Sequence, residues 1–345
     1  MGRYIIRRLV QAMPLLFAIS LLLFAMMSEM GDPLATLGGR SVIKSGDRIR
    51  LTRQLGLDKP IVVQYAVWLV GNDWMKFDAN GDGIVDSPGT RLGILRGDFG
   101  YSFRNREPVL KEIGARLPNT VYLVLITLLV ALAIAIPVGI LSAVRQYSFF
   151  DITVTTFSFA GQAIPEFWLG LILIIVFYGW LKNPFTGDPL LPAGGMYTLD
   201  SPFSIGDRIV HLILPVVTGA LGWIAWYSRF LRSSMLDVIH QDYLRTARAK
   251  GLTERRVLFK HAFRNALIPL VTLFALDLSY IFSGAVFVEM LFAWPGMGRL
   301  YYQAALQRDY PVLMAILTIG AAFMILCNLM ADILYAYLDP RIRLD

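Results

Sequence analysis

Six apolar runs, at roughly 9–27, 120–143, 153–180, 209–228, 267–288 and 312–337, constrain this chain more than any other feature. Crossing the hydrocarbon of a bilayer takes about 20 apolar residues in a helix. No water reaches peptide groups there, so runs of this length resolve as helices that pair their own backbone. The expectation is an all-α polytopic membrane protein with six transmembrane helices. With 56% hydrophobic and 17% charged residues in 345, the chain is too apolar for a soluble domain of its size. The stretch 61–71, IVVQYAVWLVG, is too short to span and reads as an amphipathic helix at the membrane face.

Arg3, Arg7 and Arg8 ahead of the first run resemble the start of a signal peptide. The run from Leu9 to Met27 is nevertheless of spanning length, and no small-x-small cleavage site follows before Glu29, so a retained first helix is expected. Lys and Arg in the short flanking segments set the orientation. With the N-terminus inside, cytoplasmic segments hold Arg3, Arg7, Arg8, Arg145, the nine basic residues from Arg229 to Arg264, Arg341 and Arg343. The two short outer loops hold only Lys182, Arg208, Arg299 and Arg308. Both termini are therefore expected in the cytoplasm, in a multi-pass protein of the cell (inner or plasma) membrane. The expected regions are an N-terminal helix (1–28), an external loop (29–116), a transmembrane core (117–338) and a cytoplasmic tail (339–345).

The same topology accounts for the net charge of +7. No basic, aromatic-rich soluble module accompanies it, so nucleic acid is not an expected partner, whereas membrane lipid is. The only cysteine, Cys327, sits in an apolar run and can build neither a disulfide framework nor a cysteine metal site. No GxxxxGK[ST] occurs, so the backbone cradle and lysine that hold ATP phosphates are missing. There is no HExxH, His211, His240 and His261 are dispersed, and no GxSxG supports a hydrolase. The chain is expected to be no enzyme and to need no cofactor in its core.

The loop between the fourth and fifth runs, DVIHQDYLRTARAKGLTERRVLFKHAFRNALIP, reads as two short helices meeting at a glycine. Asp242 is placed to cap the first, and Arg248 and Lys250 fall in its last turn, where the helix dipole favours cations. Gly251 suits the residue after the helix end, which takes positive φ. Thr253 is placed to cap the second helix, whose apolar positions Val257, Leu258, Ala262 and Phe263 follow helical spacing. The result is a rigid, protruding, basic elbow. The alternative is a solvated loop that merely obeys the positive-inside rule.

YLRTARAKGL followed by HAFRNALIP resembles the ATPase-coupling loop of ABC importer permeases, in the variant of the dipeptide, oligopeptide and nickel group. Arg245, Thr246 and Ala247 depart from the general Glu-Ala-Ala form, and the spacing to Pro269 is longer; both are like the peptide-group variant. Along the chain YIIRRL, GDP (31–33), LGLDKP (55–60), GDFGYS (97–102), RLPNT (116–120), AIPEFWLG (163–170), VEMLFAWPGMGRL and RDYP (308–311) agree with it. The chain thus resembles the B-type permease subunit of a dipeptide or oligopeptide ABC transporter. The resemblance implies a type I importer (MetI-like) core of spans two to six, with a coupling loop over 230–266. It implies that a short helix at about 247–257, with Ala247, Arg248, Ala249, Lys250, Gly251, Leu252, Thr253, Glu254 and Arg255 at the coupling site, fits a groove on an ATPase. The implied partners are a second, homologous permease (a heterodimer), two ATPase subunits that bind the ATP, and an extracellular lipid-anchored or periplasmic solute-binding protein.

Ionisable residues within a bilayer are costly and usually face a bundle interior or a wet route. Asp277, about ten residues into the fifth run, would lie near mid-bilayer at about 1.5 Å per residue. It is a candidate for meeting a peptide's amine, or else for a structural hydrogen bond to a neighbouring helix's hydroxyl. Glu166 follows Pro165 in the third run, where a broken helix could line a cavity. Asp332 is expected near the inner face, hydrated. In an apparent insert over 72–96, Asp78, Asn80, Asp82, the Ile84 carbonyl and Asp86 occupy positions 1, 3, 5, 7 and 9 of a calcium loop, with Gly83 at the turn. Position 12 is Gly89, so the usual bidentate carboxylate is missing. The alternative there is an Asx-rich surface turn. Nickel or oligosaccharide is the rival cargo. An ion-driven secondary transporter or channel is the rival class, and it predicts inverted repeats and mid-membrane charge networks.

Overall fold

The structure, a computed structural model, describes residues 2–29, 52, 58–78, 87–199, 201–278 and 285–338. The described residues form helices α1 (Gly2–Glu29), α2 (Ile61–Val70), α3 (Val109–Val144), α4 (Phe149–Ala163), α5 (Glu166–Ile174), α6 (Ile205–Ile239), α7 (Asp242–Ala249), α8 (Glu254–Arg256), α9 (Phe263–Asp277), α10 (Val286–Leu291), α11 (Met297–Gln307) and α12 (Tyr310–Leu338). Wider π-helical turns extend α5 over Ile175–Trp180 and join α8 to α9 over Val257–Ala262. Among the described residues the all-helical expectation holds apart from a two-residue antiparallel ladder, β1 (Lys76–Phe77) with β2 (Ser87–Pro88), and isolated bridges at Tyr101↔Pro108 and Lys182↔Pro189.

Among the described residues four helices are long and apolar enough to cross a membrane: α1, α3, α6 and α12. The third run is a fifth only if α4 and α5, bent 95° at Ile164 and Pro165, count as one span. The bend has a local cause, since proline cannot donate to the turn before it and disfavours helical geometry at the preceding residue. Ile164 is extended accordingly (φ −77°, ψ 121°). Of the fifth run, α9 is described, and 279–284 lie outside the described residues. Helices α3 and α6 exceed their apolar runs, at 36 and 35 residues. At about 1.5 Å per residue each outreaches a hydrocarbon core of about 30 Å.

The chain divides into two compact units, one of Met1–Ile6, Pro118–Arg299 and Phe323–Asp345, the other of Arg7–Leu117 and Leu300–Ala322. In the second unit α2 packs along α1: Tyr65 meets Phe17 and Phe24 edge-on, and its hydroxyl lies 2.7 Å from that of Ser20. Arg96 makes a two-pronged contact with Asp73, at 2.5 and 2.8 Å, whose hydrogen bond holds the Asp73 carboxyl below the usual carboxylate range. In the first unit α6 is the central helix, packed against α4, α5, α9 and α10. Its contact with α3 needs a glycine: a Cβ on Gly139 would come 2.8 Å from the Ser228 carbonyl oxygen and 3.1 Å from Leu231 Cβ.

Gly139→Ala should therefore push α3 from α6 and cost about 1–3 kcal/mol, the usual penalty for overpacking. Thermal unfolding in detergent should show a lowered Tm, with Gly222→Ala, which meets nothing within 4 Å, close to unchanged. Equal midpoints would refute the close approach.

Candidate functional site

The elbow is present, with its joint at Gly251. Helix α7 ends at Ala249, and Gly251 takes φ +77°. The Gly251 N–H donates to the Arg248 carbonyl at 2.9 Å and the Leu252 N–H to that of Ala247 at 3.4 Å. This pair of bonds is the Schellman closure, which satisfies the last carbonyls of a helix through a left-handed residue. Other details differ from expectation. Asp242 lies inside the first turn of α7, and Gln241 takes the cap position. Thr253 caps α8 through its backbone, its carbonyl accepting from Arg256 and Val257 N–H groups, and its hydroxyl makes no capping bond. No helix runs over 247–257, because the left-handed residue at 251 stops α7. The second arm is not short either, since α8, the π-helical turn and α9 run on unbroken from Glu254 to Asp277.

The elbow is docked, not merely protruding. Leu244, Ala247, Val257, Ala262 and Ala266 are buried in one cluster with Ile140 and Ala143 of α3 and Leu231 and Met235 of α6, and Leu252, Leu258 and Phe263 pack on its edge. Full burial of a side chain such as Leu244 is worth about 1.5–3 kcal/mol against leaving it in water. Two polar links brace the arms across the joint: Arg248 to Glu254 at 2.9 and 3.1 Å, and Asn265 to the Tyr243 hydroxyl at 2.7 Å. Hydrogen bonding to Arg248 holds the Glu254 carboxyl below its ordinary value. That brace is in place above the ordinary glutamate range and is lost as pH falls through the lowered pKa.

The candidate membrane carboxylates are not brought together. Asp277 accepts a hydrogen bond from the Tyr227 hydroxyl of α6, the structural alternative foreseen for it. Glu166 opens α5 directly after the bend, exposed, and a Cβ on Gly219 of α6 would lie 3.6 Å from its Oε1. Asp332 is held rather than simply hydrated, since the Tyr4 hydroxyl donates to it at 3.0 Å. Of the five candidate calcium ligands only Asp78 is described. Asn80, Asp82, Ile84 and Asp86 lie outside the described residues, and the ladder Lys76↔Pro88, Phe77↔Ser87 joins the ends of that loop.

Sequence reasoning missed a buried knot around Glu289. This carboxylate is 0% exposed. It accepts from the Thr120 hydroxyl at 2.7 Å and the Arg299 N–H at 2.9 Å, while Thr120 Oγ1 accepts the Met297 N–H at 2.7 Å. Asn119 donates to the Pro295 carbonyl at 2.9 Å, and the Trp294 indole donates back to the Asn119 carbonyl at 3.0 Å. The first glycine of PGMG follows from this, because a Cβ on Gly296 would fall under 3 Å from the Glu289 carboxyl; a Cβ on Gly298 would instead meet the Val286 backbone at 2.7 Å. RLPNT and VEMLFAWPGMGRL are thus two halves of one structure. In the second unit Asp309 of RDYP likewise accepts from the Ser102 hydroxyl of GDFGYS at 2.5 Å and from the Phe103 N–H at 3.1 Å. The visible signal for Glu289 was an acid in an otherwise apolar, glycine-rich motif.

Residues 135–344 match the family profile described as "Binding-protein-dependent transport system inner membrane component", and residues 1–124 match "Binding-prot-dependent transport system membrane comp, N-term". The chain belongs to this family. Similar relatives of this transport-component family include the "Oligopeptide transport system permease protein AppB" of Bacillus subtilis (strain 168), 46% identical over 99% of this chain and 100% of the relative. The "Dipeptide transport system permease protein DppB" of Escherichia coli (strain K12) is 36% identical over 99% of each chain. The "Di/tripeptide transport system permease protein DppB" of Pseudomonas aeruginosa (strain UCBPP-PA14) is 36% identical over 99% of this chain and 98% of its own. Among solved structures, an inward-facing MetNI methionine ABC transporter chain matches with TM-score 0.52 and 18% identity, over 68% of this chain and 99% of that one. That likeness shows a shared fold. The resemblance read from the motifs is borne out, and the chain is a multi-pass inner membrane component.

Two expectations follow. Gly251→Val puts a β-branched residue at φ +77°, a conformation costing L-residues about 1–2 kcal/mol; uptake should be lost while membrane insertion, read by fractionation, stays intact. Thr120→Val removes one donor from the Glu289 carboxylate, which keeps the Arg299 N–H, and takes the acceptor from the buried Met297 N–H, an unsatisfied group costing about 1–3 kcal/mol, so Tm in detergent should fall. An unchanged Tm would remove the knot's role in stability.

Proposed function

We propose that this chain is a non-catalytic permease subunit of an ATP-driven importer that carries di- and oligopeptides. The observation that carries the reading is the elbow. It is a short helix closed by a left-handed glycine, with its apolar face docked on α3 and α6 and a second arm continuous with α9. A push on α7 thereby bears directly on three membrane helices, and the chain has no phosphate-binding motif of its own to generate one. Peptide cargo is supported by end-to-end similarity to permeases named for oligopeptide and dipeptide transport. The proposed assembly pairs this chain with a second permease, two ATPases and an external solute-binding protein. It has six spans, both termini in the cytoplasm and the 29–116 region outside. The charge asymmetry of the short loops supports that orientation.

In this reading the exposed side chains of Ala247–Arg255 form the ATPase contact, with Ala247 itself anchoring the segment in the buried cluster, and Glu166 and Asp277 are the pathway carboxylates. Glu166 stands at the bend, where freed backbone groups are tolerated only beside protein or water. Asp277 meets cargo by exchanging its Tyr227 bond. We assign calcium to the loop from Asp78 to Asp86, a reading supported by the five-ligand spacing and by the ladder at its ends. Calorimetry of the purified permease should give calcium-dependent heat, and a flat titration would end that assignment.

The complete importer in proteoliposomes, loaded with ATP on the ATPase side, should accumulate a radiolabelled dipeptide only when the binding protein is on the other side. Uptake without ATP would favour a secondary transporter. Accumulation of nickel or an oligosaccharide in place of dipeptide would move the cargo.

A further inference from the structure

A third buried carboxylate, Asp151, is unused by the functional reading above and sits where three elements of one unit meet. It is 2% exposed, in the first turn of α4. Arg232 of α6 reaches it with both prongs, Nε to Oδ1 at 2.6 Å and an Nη to Oδ2 at 2.7 Å. The hydroxyl of Ser142 on α3, itself 0% exposed, donates to Oδ1 at 2.7 Å. The backbone N–H of Tyr147, in the turn between α3 and α4, donates to Oδ2 at 2.9 Å. A carboxylate has about four lone-pair sites, and here all four are taken. Tyr147 is held at φ +62°, a conformation uncommon for any residue but glycine, so the turn is shaped to bring its N–H to this carboxylate.

The position of Arg232 decides what the cluster can do. It stands between Leu231 and Met235, the α6 residues on which the elbow packs, and α6 reaches Ile239, three residues before α7 begins. Apolar packing between elbow and helices is non-directional and lets surfaces slide. A bidentate Arg–carboxylate pair fixes distance and angle. We propose that Asp151 is a positioning residue that locks the inner ends of α3 and α4 to α6, so that displacement of the elbow moves the three helices together and reaches the bend at Pro165 through α4. The inference rests on the coupling role of the elbow and does not depend on the cargo.

The test uses the whole importer with a cysteine in place of Ala163, exposed at the far end of α4, on a Cys327→Ala background. The rate of maleimide modification is read with and without trapping by ATP and vanadate. With the pair intact, trapping should change that rate roughly three- to tenfold, in the range that single coupling residues command. Asp151→Asn alone leaves a part-buried guanidinium without its counter-charge and is expected to harm assembly. The decisive variant removes both charges, Asp151→Leu with Arg232→Met. It should assemble and hydrolyse ATP while the trapping effect falls within about twofold. If that variant does not assemble, Arg232→Lys, which keeps the charge but not the two-pronged geometry, should show the same loss. A full trapping effect in the variant that assembles, or none with the pair intact, overturns the proposal. An importer that shows the effect but accumulates no dipeptide overturns the cargo reading instead.

Discussion

In hydrocarbon every peptide N–H and C=O has to find its partner within the protein, and the rest of this structure follows from that constraint. It makes the long apolar runs helical, and it makes each interruption of a helix a place where something else must satisfy the backbone. At Ala163–Glu166 the interruption is made by proline, which has no N–H to lose. At Gly251 the closing bonds come from the two residues after the helix. Between α10 and α11 they come from a buried carboxylate and a threonine.

Buried acids recur at such interruptions. Glu289, Asp309 and Asp151 each accept from a hydroxyl on another element and from a backbone N–H in a turn or in the first turn of a helix. A carboxylate is suited to this, because it offers several acceptor sites at one point and makes stronger hydrogen bonds when ionised. Glycines then appear where the acid's bulk leaves no room for a side chain, as at Gly296. The elbow solves the same problem at the water-facing end, where apolar residues dock its inner face and polar braces hold its angle.

Much of this was legible in the sequence, and what was legible is local. The joint at Gly251 could be read because positive φ is a property of one residue. The burial of Val257 and Ala262 could be read because helical spacing is a property of one segment. The break at Pro165 has the same standing. The cap at Asp242 was misplaced by one residue, since Gln241 and Asp242 offer the chain similar ways to start a helix. The 247–257 helix that the resemblance implies is cut by the left-handed residue at 251, and the second arm is longer than its apolar pattern suggests because Pro269 is accommodated inside α9. Glu289 and Asp309 stand in motifs that the sequence displays, but their pairings were not legible, for Thr120 lies 169 residues from Glu289 and Ser102 lies 207 from Asp309.

By itself the sequence determined the helical class, the spanning runs, the charge asymmetry of the loops and the glycine joint. Each depends on interactions within a helix turn or between a segment and its solvent. Only the tertiary structure decided that Thr120 and Glu289 share one knot, that Asp277 accepts from the Tyr227 hydroxyl, and that Asp151 ties three helices beside the elbow. Those pairings depend on which helices come within hydrogen-bond distance, about 3 Å, and no spacing along a chain encodes a distance between helices that meet only after packing.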